Sequence, residues 1–451
     1  MHLHEAAGAL NAAAVGADVE LTGVSTDSRD LPPGSLFVAL RGPRFDGHRF
    51  AARALEQGAA AVMVEARAAL GVSPAIVVDD TRLALGRLAA WHRLRMPARV
   101  VAITGSNGKT TVKEMTAAIL RAHAGEDAVL ATQGNLNNDI GMPLTLLRLT
   151  PAHRYAVIEM GMNHPGELTY LSQLARPDVA LVNNAQRAHL EGLRSVEAVA
   201  RAKGEIYGGL AENGIAIVNA DDAHAGLWRD LNAHRPVLGF GLSDAADIHA
   251  THRPDALGAD MELHTPAGRI ALRLRVPGEH NVRNAVAAAS IAHALGVPLE
   301  TIAAGLAGYG GVKGRLQMHD CILGARLIDD TYNANPDSVS AAVAVLAAQP
   351  GKRILVLGDM GELGMGAADL HAEIGKRAKA AGIDRLLALG ELSAHAVTAF
   401  GAGGMHFDRI EELLAEIENA LGEGTTVLVK GSRFMKMERV VHSFVEAKVC
   451  S

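Results

Sequence analysis

Aromatic side chains are scarce: eight Phe, five Tyr and two Trp make up 3% of 451 residues. Set beside 48 glycines and many Ala-rich stretches, that scarcity points to closely packed α/β layers rather than to a β-sandwich core. Cysteine is nearly absent. Cys321 and Cys450 lie far apart and outside any metal-ligand spacing, which excludes a disulfide scaffold and a zinc site. Both are expected to stay thiols. Neither sign of charge dominates, since the net charge is −6, so no global field recruits nucleic acid or an anionic membrane. Any anionic ligand must be held by local devices such as loop amides and single basic side chains. The opening "MHLHEAAGALNAAAVGADVEL" lacks a basic stretch followed by a continuous apolar core, and no apolar run approaches the roughly 20 residues of a membrane span. A soluble, cytoplasmic protein is the expectation.

Repeats and low-complexity linkers are absent too, yet three regions separate. Residues 1–82 hold a turn-rich stretch, a short strand and a helix-then-strand pattern, which make a small α/β unit. From 83 to 313 buried-strand runs ("RVVAIT", "DAVLAT", "RYAVIEMG", "DVALVNNA", "GIAIVNAD") alternate with helical patterns, predicting a parallel sheet covered on both faces. A more polar β-like insert at about 247–276 precedes a strong helix, "GEHNVRNAVAAASIAHALG". After the Gly-rich hinge candidate at 308–315 the alternation restarts over 314–451 ("RILVLGDM", "RLLALGE", "TTVLVKGS"), with helices predicted at about 367–382, 408–421 and 433–447. This last unit is Rossmann-like but lacks the G-x-G-x-x-G dinucleotide fingerprint.

The stretch that carries chemistry is "VVAITGSNGKTT", residues 100–111, a buried strand that breaks into a glycine-rich turn and opens a helix. Such a turn presents unpaired N–H groups and a positive dipole end to phosphate oxygens. Gly105, Ser106, Asn107 and Gly108 would form the cradle; Lys109 would reach the β/γ-phosphates and Thr110 would offer a hydroxyl to Mg²⁺. Ile103 stands where the generic G-x-x-x-x-G-K-[ST] pattern wants glycine. The same residues also fit a turn that merely caps a helix. Glu159 ends a buried strand at the sheet edge where α/β proteins place ligands, fitting either a cation ligand or a helix-capping acid. His189 follows the next strand at the same edge. A lone histidine is more often structural, and by itself Lys203 reads as a solvated lysine on a helix.

With these residues in hand, the chain resembles the Mur ligases along essentially its whole length. In that family the phosphate loop reads T-G-[ST]-N/S-G-K-T-[ST], so Ile103 is ordinary there. "GNLNNDIGMPLTLL" (134–147), "IEMGMNHPGEL" (158–168), "GRL" (314–316), "DDTYNANPDS" (329–338), "GDMGELG" (358–364) and "LVKGSR" (428–433) are similar to signatures of the branch that acts on UDP-MurNAc-tripeptide and D-alanyl-D-alanine. The resemblance implies three α/β domains: a UDP-substrate domain, a central phosphate-loop ATPase domain and a C-terminal Rossmann-like domain. It implies that Lys109, Thr110 and Thr111 hold ATP phosphates and one Mg²⁺, that Glu159 and His189 hold a second Mg²⁺, and that Lys203 carries a CO₂-derived carbamate. It further implies that Asn281 meets the adenine, with Asn284 on the same helical face, and that Arg315 and Asp330 reach the phosphates and ribose. Helix capping is the alternative for the two asparagines.

Thr26, Ser28, Arg44 and Phe45 match positions that cradle the uridine diphosphate, although "STDSR" (25–29) equally reads as an Asp-capped turn. Asn137 and Asn138 match positions facing the sugar-peptide. The implied reaction is ATP-dependent amide formation through an acyl phosphate, and a monomer with no nucleic-acid or membrane partner is expected. The "GDMGELG" and "LVKGSR" segments are the expected lining of the dipeptide pocket, with no residue singled out. Two rivals remain at this point. One is a sister amide ligase, such as another Mur step or a folylpolyglutamate synthetase. The other is a nucleotide-driven switch or motor, for which the sequence offers no partner motif.

Overall fold

Strands and helices alternate along the chain in three successive sets, and each set closes its own sheet. The structure is a computed structural model that describes residues 1–43, 45–68 and 71–445. In the first sheet the strand order is Ala13–Val15, Ala75–Val78, Ala61–Glu65, Ser35–Val38 and Gly23–Ser25, antiparallel only at the first pairing. The second sheet has nine strands. Six of them, Val129–Ala131, Tyr155–Glu159, Arg99–Thr104, Val179–Val182, Ile215–Asn219 and Val237–Gly241, run parallel in that spatial order. The polar insert continues this sheet as a meander, Ile248–Asp255, Gly258–Thr265 and Gly268–Leu274, whose strands pair antiparallel with one another. The third sheet orders Gln317–Asp320, Arg326–Asp330, Thr425–Lys430, Lys352–Gly358, Arg385–Leu389 and Gly404–Phe407, antiparallel only at its first pair. The architecture is α/β with three domains.

Burial shows why the central strands read as continuous apolar runs. Along Arg99–Thr104, Val100 and Ala102 point into one core while Val101 and Ile103 point into another. The same alternation splits Ala156 and Ile158 from Tyr155 and Val157, so both faces of the sheet are covered. The first of these cores also takes in Leu36, Val38 and Met63 of the first sheet. Helix Thr81–Leu94 bridges the two domains, packing Leu85, Leu88 and Ala89 into that shared core, and Asp80 caps it by accepting from the Arg82 and Leu83 amides.

Most expected helices are present: Glu279–Ala294, Ala367–Ala380 and Ile410–Ala420. The stretch expected as one helix over 433–447 differs. A 3₁₀ turn, Arg433–Met435, is separated from helix Glu438–Phe444 by Lys436 at φ 51°, a left-handed residue that breaks the run, and residues 446–447 lie outside the described ones. Among the described residues no helix is long and apolar enough to cross a membrane. Cys321 is buried, and Cys450 lies outside the described residues.

Candidate active site

The order of the parallel strands places a switch point at Arg99–Thr104. Chain connections leave to its two sides, toward Tyr155–Glu159 and toward Val179–Val182, opening a crevice at the carboxyl edge. Residues 105–108 turn in that crevice and helix Lys109–Ala124 starts from Gly108. Gly108 sits at φ 80°, and a Cβ there would overlap the side-chain amides of Asn284 and Asn183, so only glycine fits. The polar run after the next strand holds the loop open. The Ser106 amide donates to the Asn184 carbonyl (3.0 Å), the Asn107 amide to Asn184 Oδ1 (2.9 Å), and Asn107 Nδ2 to Gln186 Oε1 (2.6 Å).

Beyond the loop, Thr110, Glu159 and Asn137 converge. The Thr110 hydroxyl donates to Glu159 Oε2 (2.8 Å) and Asn137 Nδ2 donates to Oε1 (2.7 Å), so both oxygens of this buried carboxylate are engaged. Arg315 Nη2, from the hinge region, donates to Thr110 Oγ1 (2.9 Å). Lys109 Nζ donates back to the Gly105 carbonyl (2.7 Å); burial lowers its pKa while the Glu159 carboxylate opposes the shift. Thr111 is buried on the same first helical turn. Asn281 and Asn284 share one face, as expected. Asn284 Nδ2 donates to Asn281 Oδ1 (3.2 Å) and accepts on Oδ1 from Asn183 Nδ2 (2.9 Å), while Asn281 Nδ2 donates to the Pro277 carbonyl (2.8 Å).

Lys203 corrects its own plain reading. It ends helix Val196–Gly204 and is only 1% exposed, not a solvated surface lysine. Among the described residues nothing forms a hydrogen bond or ion pair with its amine. Burial holds its pKa well below the ordinary lysine value, and the nearby Lys109 ammonium pushes the same way. His189 lies at φ 58° before the short helix Leu190–Leu193, and its Nδ1 pairs with Glu362 Oε2 of the third domain at 2.7 Å. As these side chains stand, the described residues form no cluster of three or more His, Cys, Asp or Glu able to hold a metal. One carboxylate and one imidazole fall short of the oxygen-rich shell that Mg²⁺ takes. The buried Lys203 amine, which has no hydrogen bond or ion pair among the described residues, is a group that CO₂ could convert into a further anionic oxygen donor, and on that ground the set fits such an ion.

The third domain closes the crevice. Asp330 is buried and accepts from Lys430 Nζ (2.6 Å) and from the Leu316 amide (3.2 Å); burial raises its pKa against the pull of Lys430. Arg315 lies over the Tyr332 ring at 4.3 Å. Arg187, two residues before His189, clamps Asp337 (2.7 Å) and Glu373 (2.7 Å), and Asn335 Nδ2 donates to Asn107 Oδ1 (2.8 Å). Together the three domains enclose a cavity of about 1440 Å³ whose walls include Lys109, Asn138, Glu159, His189, Asn281, Arg315 and Asp330.

The first-domain candidates are not brought there. Thr26 and Ser28 are half-buried beside a turn in which Asp27 accepts from the Arg29 amide and side chain, a contact that lowers the Asp27 pKa to about 2. Phe45 is 59% exposed on a two-residue strand, and Arg44 lies outside the described residues. Neither Thr26, Ser28 nor Phe45 lines the cavity; Asp80, Arg82 and Leu83, at the start of the bridging helix, line it instead. Sequence reading missed those three, together with Asn183, Asn184, Gln186, Arg187 and Tyr332; Glu362 and Lys430 lie in the two segments expected to line the dipeptide pocket. For "NNAQR" a signal existed: consecutive amides directly after a buried strand have no packing reason to be there.

Comparison with known proteins agrees with this geometry. Residues 20–93 match the model described as Mur ligase family, catalytic domain; residues 103–292 match Mur ligase middle domain; residues 314–433 match Mur ligase, glutamate ligase domain. UDP-N-acetylmuramoyl-tripeptide–D-alanyl-D-alanine ligase of Escherichia coli K12 is 48% identical, covering 98% of this chain and 97% of its own length. A crystal structure of MurF from Acinetobacter baumannii superposes with a TM-score of 0.91 at 36% identity, covering 98% of each chain. MurF ligase from Thermotoga maritima, in complex with ADP, gives 0.83 at 27% identity over 93% of this chain and 96% of that one.

Proposed function

The chain belongs to the Mur ligase family, and from that premise we propose that it joins D-alanyl-D-alanine to UDP-N-acetylmuramoyl-tripeptide at the expense of ATP. The observation that carries the reading is the full-length 48% identity to a ligase of that name, over a site with a phosphate loop. ATP lies with its phosphates on the loop amides and Lys109, and with its base toward Asn281 and Asn284. A carboxylate oxygen of the tripeptide attacks the γ-phosphorus and ADP departs, leaving an acyl phosphate. The neutral amine of the dipeptide then attacks the acyl carbon. The tetrahedral adduct collapses to the amide, releasing phosphate, and the amine gives up one proton. Two anions must meet in this cavity, so positive charge from Lys109 and Arg315 has to offset their repulsion.

Thr110 would hold one Mg²⁺, and Glu159, His189 and carbamylated Lys203 a second; the ions would supply charge neutralisation at the transferred phosphoryl group. The lowered pKa of Lys203 favours the modification, since amine plus CO₂ gives carbamate and one proton. Domain roles divide at 82 and 313, with the uridine diphosphate end on 1–82, ATP on 83–313 and the acceptor on 314–451. Thr26, Ser28, Arg44 and Phe45 remain the uridine diphosphate candidates, reached once the first domain closes further, and Asn137 and Asn138 face the sugar-peptide. We assign the protein to the cytoplasm as a monomer.

The test is phosphate release from ATP with UDP-MurNAc-tripeptide, with and without D-alanyl-D-alanine, and the product followed by mass. Release that needs both substrates, with a product heavier by one dipeptide unit, is the expected result. Steady release with neither substrate would favour a nucleotide switch and overturn the reading.

A further inference from the structure

Behind the cavity wall of the third domain stands a histidine that does not line the cavity. His371, on helix Ala367–Ala380, is fully buried, and both of its ring nitrogens are engaged. Nδ1 lies 2.7 Å from the Ala367 carbonyl, which can only accept, so Nδ1 carries the proton. Nε2 is therefore bare, and it accepts from the Met360 amide at 2.9 Å. Burial lowers the ring's pKa below the ordinary 6.5, helped by His395 of helix Ser393–Phe400 and opposed by the Ala367 bond and the Asp359 carboxylate.

Met360 belongs to the short loop that leaves strand Lys352–Gly358 and delivers Glu362 to the site. Every residue of this loop is tied by one backbone group. The Asp359 carbonyl accepts from the Ser432 amide (3.0 Å), and the Met360 amide donates to His371. The Gly361 amide donates to Ser432 Oγ (2.8 Å), and the Glu362 carbonyl accepts from the Glu191 amide (3.1 Å). Glu362 sits at φ 61°, a left-handed conformation rare for a residue with a Cβ, so these ties rather than its own preference hold it there. The result is the 2.7 Å pairing of Glu362 Oε2 with His189 Nδ1 across two domains, a contact that lowers the Glu362 pKa. The same helix meets the central domain a second time, since Glu373, two residues beyond His371, takes Arg187.

Resting on the ligase reading above, in which His189 is a metal ligand, we propose that His371 is a positioning residue for it. Its bare Nε2 fixes the Met360 amide and so keeps Glu362 where it orients the His189 ring. A carboxylate on Nδ1–H leaves Nε2 of His189 as the nitrogen free to bind an ion. Without His371 the Met360 amide would be buried with no acceptor, and the loop could satisfy it only by leaving its present path.

The experiment follows the histidine rings by heteronuclear NMR in the full chain without nucleotide, with circular dichroism checking that each variant folds. Wild type at neutral pH should show His371 protonated on Nδ1 alone and a slowly exchanging Nδ1 proton on His189. In His371→Gln the side-chain oxygen reaches the place of Nε2, so the His189 proton should stay slow. In His371→Asn the side chain is too short, and that proton should exchange freely. In ligation His371→Asn should lose roughly tenfold in kcat, as for one lost hydrogen bond, while His371→Gln keeps most of it. Built into Glu362→Ala, which has already lost the carboxylate, His371→Asn should cost nothing further in kcat, although its loss of stability remains. Nε2 protonated in wild-type His371 would overturn the assignment, as would an equal kcat loss with and without Glu362. Failure of the ligase reading itself looks different: wild type would make no product, yet the His189 proton would still respond to His371→Asn.

Discussion

Replacing Lys203 with Met tests the energetic state of the site apart from its chemistry. Met matches the length and flexibility of lysine but leaves no amine to desolvate. In the folded protein Lys203 is buried, and burial with the Lys109 charge holds its pKa well below that of a free lysine. The sign follows directly. As pH falls below about 10.4, the unfolded lysine binds a proton that the folded one refuses, so stability is lost on going from alkaline to neutral pH. Each pKa unit of depression is worth about 1.4 kcal/mol, and burial of an unpartnered polar group typically costs about 1–3 kcal/mol in mutational series. Lys203→Met is therefore expected to be more stable than wild type by about 1–3 kcal/mol at pH 7 in CO₂-free buffer, while losing ligation. Thermal and urea denaturation at pH 7 and pH 10 should show the advantage shrinking at the higher pH. Adding bicarbonate should stabilise wild type and leave the variant unmoved. A variant less stable than wild type at pH 7 would refute the argument, because the amine would then have a partner worth more than its desolvation.

Gly108→Ala should lose nucleotide binding, since the new methyl needs a left-handed backbone and displaces the Asn183–Asn284 amide pair; a fluorescent ATP analogue reads the loss, and overpacking predicts a stability cost of about 1–3 kcal/mol. Arg187→Ala removes the clamp on Asp337 and Glu373, groups about a quarter to two-fifths exposed, so a cost of roughly 1–2 kcal/mol should appear as a KM for ATP raised on the order of tenfold. His280 is half-buried on the cavity wall, and desolvation, with the Lys430 and Arg283 charges beside it, lowers its pKa from 6.5 to about 4. Between those values the unfolded chain binds the proton and the folded chain does not, so stability should fall by on the order of 3 kcal/mol as pH drops from neutral to 4. His280→Asn should flatten that slope in urea denaturation.

What was legible in the sequence follows from which forces act locally. Strand Arg99–Thr104 and its neighbours announce themselves because a sheet buried on both faces allows only apolar residues. The phosphate loop announces itself because Gly108 must be glycine at φ 80°. Lys203 could not be read this way. Its helix position has the spacing of any surface lysine, and nothing in its own segment marks it as buried. The cavity wall at Arg82 and the pairing of His189 with Glu362 were equally hidden, since each joins residues from different domains. The break at Lys436 gave no periodic signal, as a single left-handed residue leaves the apolar pattern intact.

These cross-domain contacts bear on why the phosphate loop serves bond formation. Asn107 in the loop receives a hydrogen bond from Asn335, and Thr110 receives one from Arg315. His189, at the neighbouring strand end, is paired by Glu362, and Arg187 is clamped by Asp337 and Glu373. The central domain therefore supplies only part of the polar surroundings of the phosphate loop, and the hinge and third domain supply more. In a free-standing switch the loop carries its own catalytic complement or borrows an arginine from a partner. Here Arg315 comes from the hinge of the same chain. The polar lining of the loop is therefore completed within one chain rather than by a partner.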